Sequence, residues 1–245
     1  MRKTLSIIYL LLVSASFVSA QEHKSTEPSK FSFGSIPYGK PMEEVLKMVE
    51  GAKVWESDYV SIETIGNYED LSSYFAGGLY TIMGLGTYLN SNVVKKYTAA
   101  YDKWDNIDKI DLYFVKKFGS NEPHTLFLVR KFLKAPEGSY ENVFNGMKGS
   151  VTEKIGVAPE VFKVKYQTDS MKAKRTYEPA FFGVWTLEYS KVFLLVASSF
   201  YRTRRPEILY LSNNGWKNYL DSIDAYEIYM KQIEENKSKK MIGDF

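Results

Sequence analysis

From residue 31 onward the chain switches between two hydrophobic periods. In "IPYGKPMEEVLKMVEG", Met42, Val45, Leu46 and Val49 recur at the i, i+3, i+4, i+7 spacing of a short amphipathic helix. Pro41 suits its first position, Glu43 and Glu44 complement the helix dipole, and Gly51 supplies a stop. "VWESDYVSIETI" (54–65) then alternates as a strand. A hairpin follows: "KIDLYFVKKF" (109–118), with Ile110, Leu112 and Phe114 on one face, a "GSNEP" turn, and "HTLFLVRKFL" (124–133).

The second half has the same order. "SYENVFNGMKGSVTEKIG" (139–156) carries Tyr140, Val143, Phe144, Met147, Val151 and Ile155 at helical spacing, weakened by Gly146 and Gly149 and stopped by Gly156. Four strands are predicted after it: 160–168, 180–189, 191–200 and 207–212. "VFLLVA" is apolar throughout, which predicts a central strand covered on both faces. Asn213 or Asn214 then caps a last helix whose stripe is Trp216, Tyr219, Leu220, Ile223, Tyr226, Met230 and Ile233, with a polar, fraying end and a tail over 237–245. The predicted fold is α+β: two tandem helix-plus-antiparallel-sheet modules, 31–135 and 136–236, with a C-terminal helix.

One stretch breaks the pattern. Residues 67–104 read as an insert in the first module. Within it, "LSSYFAGGLYTIMGLGTYLNSNVV" (71–94) has no charge and is rich in Gly and Tyr. Its apolar part, 75–89, is short of the ~20 residues a membrane span requires. Three readings stay open: a glycine-rich helix packed on its own sheet, a surface for a partner or ligand built on Tyr74, Phe75, Tyr80 and Tyr88, and peripheral membrane contact.

Composition adds a destination. Arg2 and Lys3, an apolar run, and "VSA" at 18–20 have the form of an export leader, which predicts a mature chain from Gln21, with a polar, disordered linker over 21–30. The expected location is the periplasm or the medium. There is no cysteine, so neither disulfides nor a lipoprotein anchor is expected, and a buried core must supply stability. The 15 Phe and 19 Tyr can supply it. Losing Arg2 and Lys3 lowers 32 basic residues to 30 against 29 acidic ones, which gives no global case for nucleic-acid binding.

Candidate chemistry is sparse. Gly34, Gly39 and Lys40 match most of a phosphate loop, but Pro41 replaces the Ser or Thr hydroxyl and Pro37 removes an N–H, so a turn into the helix is expected instead. Two histidines, His23 and His124, do not suffice for an ordinary zinc site, and no G-x-S-x-G elbow is present. No cofactor and no metal are expected. Glu63, Asp111 and Glu188 keep a carboxylate-dependent hydrolase of envelope or extracellular carbohydrate open as an alternative. "YRTRRP" (201–206) sets Arg202, Arg204 and Arg205 between two strands, either as an anion-binding loop or as a solvated hairpin tip.

The Pro/Gly turn before an acidic-started helix, "IPYGKPMEEV", followed by hairpins, resembles the helix-plus-antiparallel-sheet modules of bacterial envelope proteins: the outer-membrane assembly lipoprotein family and the β-lactamase-inhibitor-like fold. The chain departs from that family in lacking an anchoring cysteine and in the long insert at 67–104. The resemblance implies protein binding or scaffolding rather than catalysis, and it assigns no individual residue. The expectation is an exported binding or envelope-maintenance protein whose partner is a protein, a small molecule or a glycan of the cell envelope.

Overall fold

The computed structural model of the chain describes residues 28–56, 93–134, 138–168, 176–196 and 206–243. A 3-10 turn, Pro28–Phe31, precedes α1 (Met42–Lys47). Then come β1 (Lys53–Glu56), β2 (Val94–Ala100), β3 (Ile107–Val115) and β4 (Thr125–Leu133). The second half is α2 (Tyr140–Ile155), β5 (Glu160–Thr168), β6 (Thr176–Thr186), β7 (Ser190–Val196) and β8 (Glu207–Ser212), closed by α3 (Asn213–Gly243).

The strands form one antiparallel sheet in the order β1-β2-β3-β4-β8-β7-β6-β5. Each half is therefore a helix followed by a four-stranded meander that starts at a sheet edge and runs inward. The two meanders join edge to edge where β4 pairs with β8, Leu128 opposite Leu211 and Phe132 opposite Glu207. This is the α+β architecture that the two helix-then-strand runs predict, realised as one continuous sheet.

Both faces of the sheet are buried. Ile110, Leu112, Leu126, Val129, Val192, Leu194, Ile208 and Tyr210 face α1 and α2. Tyr113, Val115, Phe127, Leu128, Phe193, Leu195, Leu209 and Leu211 form the opposite core with Tyr219 of α3. The strict alternation along β7 and β8 follows from the two-residue side-chain period of a strand. In β4 it is interrupted. Tyr113 is opposite Leu128 but Phe114 is opposite Leu126, so Phe127 is an extra, bulged residue. The bulge puts Phe127 and Leu128 in the same core, and Phe127 stacks on Tyr219 with ring centroids 5.9 Å apart.

The helix ends show where local chemistry decides. Ser139 caps α2, accepting from Asn142 N, and Gly156 ends it in the left-handed conformation with its N–H on Thr152 O. Pro41 lies one step outside α1 rather than inside it, with an extended ψ of 145°. Its carbonyl accepts from Glu44 N and Val45 N. The last helix is capped by neither asparagine. Ser212 Oγ accepts from Gly215 N, while the Asn213 amide reaches back to the carbonyls of Leu187 and Glu188.

The interior of α3 also departs from its expected stripe. Leu220 is exposed and Ser222 is buried. The Ser222 hydroxyl accepts from Phe118 N and donates to Lys116 O, satisfying the chain just past β3. Helical hydrogen bonding also continues through "EENKSKK" to Gly243, farther than the polar composition suggests.

The predicted insert at 67–104 needs the largest correction. Val94–Ala100 is β2, an internal strand between β1 and β3. Lys96 and Thr98 disguise it, because both of their polar groups are taken up by Asp111 of β3. Val93 and Val94, the last residues of the uncharged stretch, are core residues and not contact surface. Residues 57–92 lie outside the described residues.

Candidate functional site

The glycine turn preceding α1 is occupied by the fold itself. Gly39 N donates to Leu126 O, Leu126 N donates to Lys40 O, and Met42 N donates to His124 O. The turn thus extends the sheet along β4 past the end of its pairing with β8. Lys40 Nζ pairs with Glu44 at 3.0 Å. These N–H groups are engaged with β4, which leaves no cradle of the phosphate-loop kind at Lys40.

The carboxylates considered for hydrolysis are not brought together. Asp111 accepts from Thr98 Oγ1 at 2.7 Å and lies 2.9 Å from Lys96 Nζ. It sits in β3, separated by β4 and β8 from the exposed Glu188 of the β6–β7 turn. Glu63 lies outside the described residues. On the same sheet face as Asp111, Glu207 accepts from Arg130 Nε at 2.8 Å. Burial opposes the charge on Arg130, but Glu207, Tyr113 and Asp111 outweigh it and push its pKa up. Asp111 and Glu207 are each about 1% exposed and each is matched by a cation, which is the arrangement of a buried ionic lock. Among the described residues no group of three or more His, Asp or Glu side chains converges to hold a metal ion.

The other sheet face carries a cavity. It has a volume of about 430 Å³ and lies between α2 and the sheet. Val143, Met147, Val151 and Ile155 form the helical wall, Ile208 and Tyr210 of β8 form the floor, and Phe33 closes one side. Asn142, Gly146, Ser150 and Lys154 line the mouth. The lining positions run from 142 to 155, about 20 Å along the helix axis at 1.5 Å per residue. The volume lies within the usual range for small-molecule pockets.

Three local features hold this cavity open. First, α2 is anchored toward β6. Phe144 stacks on Phe181 at 5.5 Å, and Trp185 Nε1 donates to Thr152 Oγ1 at 3.3 Å. Second, Gly183 lets that side close up, because a Cβ there would lie 3.2 Å from the Trp185 ring. Third, the helix has no side chain at Gly146, which lines the cavity, and a Cβ there would meet nothing within 4 Å. The helix is thus drawn down over β6 and β7, while its mouth-lining positions carry small or polar groups.

One lining residue of the cavity is a cation. Lys154 lines it from the last turn of α2. Lys131 of β4 lies opposite Ile208, and its ammonium is 5.6 Å from the Tyr210 ring centroid. Burial, and secondarily the charge of Lys154, pull the Lys131 pKa down to about 8. Burial pushes the Tyr210 hydroxyl up to about 12. Tyr38, just before α1, is raised further, by burial first and then by Tyr210.

The residues singled out from the sequence are not among those described for this site. Tyr74, Phe75, Tyr80 and Tyr88, and Arg202, Arg204 and Arg205, all lie outside the described residues. The described groove is built from Val143, Gly146, Met147, Val151, Lys154, Ile208 and Tyr210. The signal present in the sequence was Gly146, which weakens a helix without any turn to justify it.

Compared with protein-family models, curated proteins and solved structures, the chain matches none.

Proposed function

We propose that the chain is an exported, non-enzymatic binding protein of the cell envelope that holds a small apolar ligand in the groove between α2 and the sheet. The observation that carries this reading is the cavity itself. It has apolar walls of Val143, Met147, Val151, Ile155 and Ile208, and its mouth includes a helical glycine with open space in front of it. An apolar-lined open groove of this size, with a few polar groups at its mouth, is the default binding-site hypothesis. The leader-like N-terminus supports export. Among the described residues, the pairing of the buried carboxylates Asp111 and Glu207 with cations supports binding over hydrolysis.

The test is a fluorescence titration of the full chain with N-phenylnaphthylamine, an apolar probe that brightens out of water. The expected result is saturable binding that falls at least tenfold in Gly146→Phe, whose ring would enter the groove. Binding unchanged by that substitution, in a folded variant, removes the groove from the account.

A further inference from the structure

We infer that the ligand of this groove is an aliphatic chain bearing one uncharged oxygen acceptor, a hydroxyl or a carbonyl, which takes a hydrogen bond from the Tyr210 hydroxyl at the Ser150 and Lys154 end of α2. The inference rests on the binding reading above and deepens it by naming a ligand class.

Strand register places Tyr210 along the groove. Val192 of β7 is opposite both Trp185 of β6 and Tyr210 of β8, so the three share one row across the sheet. Trp185 Nε1 donates to Thr152 Oγ1 near the end of α2, whereas Phe181, earlier on β6, stacks on Phe144 near its start. β6 and β8 are both antiparallel to β7, so α2 runs in the same sense as β8. Tyr210 therefore belongs to the end of the groove lined by Ser150 and Lys154, and Val143 and Met147 wall the other end. That apolar wall suits hydrocarbon. A peptide would bring one N–H and one C=O per residue and would need partners for them.

Hydrogen-bonding capacity names the polar group. Tyr210 lines the groove and is 7% exposed. No described residue hydrogen-bonds to its hydroxyl, and burial alone pushes its pKa up. Buried polar groups ordinarily have a partner, so this hydroxyl keeps a donor for the molecule that fills the groove. Ser150 donates its own proton to Gly146 O and offers only lone pairs. The described cation of the lining, Lys154, is exposed, where solvent screens it. An anion seated at Tyr210 would be buried without a matched counter-charge, which costs far more than burying a neutral oxygen that is hydrogen-bonded.

The experiment is calorimetry of the full chain near neutral pH with octanol, hexyl methyl ketone, octanoate and the oxygen-free probe butylbenzene. It is repeated on Tyr210→Phe, which removes the hydroxyl and keeps the ring. The variant should weaken octanol and the ketone by about three- to tenfold, the ordinary worth of one hydrogen bond, and leave butylbenzene unchanged. Octanol should bind the parent chain more tightly than octanoate. Infrared spectroscopy of the isotope-labelled ketone on the parent chain keeps the test decisive if the variant does not fold: the bound carbonyl stretch should fall below its value in hydrocarbon. A stretch left at the hydrocarbon value, or octanol and ketone affinities unchanged in a folded Tyr210→Phe, overturns the Tyr210 assignment but leaves the groove as a binding site. An equal loss for butylbenzene overturns it too, because the effect is then not on oxygen. Tighter binding of octanoate than of octanol overturns the uncharged class. Absence of binding by all four probes overturns the binding reading itself and this inference with it.

Discussion

A Cβ placed on Gly215 would lie 2.2 Å from the Cβ of Phe127. The first turn of α3 therefore rests directly on the bulged residue of β4, with no room for a side chain between them. The contact sets how closely the helix covers its sheet face. It also explains why Phe127 can stack on Tyr219 one turn later. Gly215→Ala gains helix propensity but must push α3 off the bulge. The expected net loss is about 1–3 kcal/mol, as for other overpacked cores, read as a lower urea midpoint. A variant as stable as the parent would mean that α3 is not seated on Phe127.

Gly149 has the opposite surroundings. It is in a helix interior, exposed, and a Cβ there meets nothing within 4 Å. Gly149→Ala should stabilise the chain by about 0.5–1 kcal/mol through the lost backbone entropy of the unfolded state. Equilibrium urea denaturation checks this, and a destabilised variant would show that position 149 of α2 is packed against something.

The ionic lock on the α3 face is asymmetric to mutation. Arg130 is held by Glu207, with the cation also 4.6 Å from the Phe132 ring centroid. Glu207→Ala strands a buried guanidinium and should cost about 3–5 kcal/mol. Replacing both partners, Arg130→Met with Glu207→Leu, should recover most of that loss, because an apolar pair needs no counter-charge. A double variant no more stable than Glu207→Ala would show that the pair does more than balance charge.

Lys131 makes stability depend on pH in a definite direction. Its folded value, about 8, is below the ordinary lysine value of 10.5. Between those values the unfolded chain binds more protons than the folded one, so this group's contribution to stability rises with pH. Below about pH 8 both states are protonated and the penalty for burying the charge is fully present. From about pH 7 to about pH 9.5 the parent should gain about 2 kcal/mol relative to Lys131→Met. The difference between the two urea midpoints isolates this group from tyrosines such as Tyr210, whose raised values act at higher pH. The groups facing Lys131 include Tyr210 from β8 and Lys154 from α2, with Tyr38 beyond Tyr210. A flat difference curve would place the Lys131 ammonium in water.

What could be read from the sequence was whatever local periodicity and capping control. α2 was legible to the residue, Ser139 to Gly156, because its caps and its stripe agree. β5 and β8 matched their predicted spans for the same reason. The features that were lost depend on partners distant in sequence. β2 was hidden because Lys96 and Thr98 look like surface residues until Asp111 is seen to take both of their polar groups. Ser222 was hidden because its burial is justified only by Lys116 and Phe118, more than a hundred residues earlier. The bulge at Phe127 has no one-strand signature, since it consists of a mismatch in count between β3 and β4.

The groove was illegible for a related reason. Gly146 was visible as a defect in a helix, but a defect becomes a cavity only when the opposing surface is known. Ile208 and Tyr210 reach α2 only because β8 lies beside β4 at the centre of the sheet, where the two meanders join.

The most direct measurement is a methyl-labelled NMR titration of the full chain with decanol. The groove account predicts saturable shifts at Val143, Met147, Val151, Ile155 and Ile208, with Val184, Leu209 and Leu211 on the α3 face unmoved. Shifts confined to the α3 face, or no saturable shift at the five groove methyls, would contradict it.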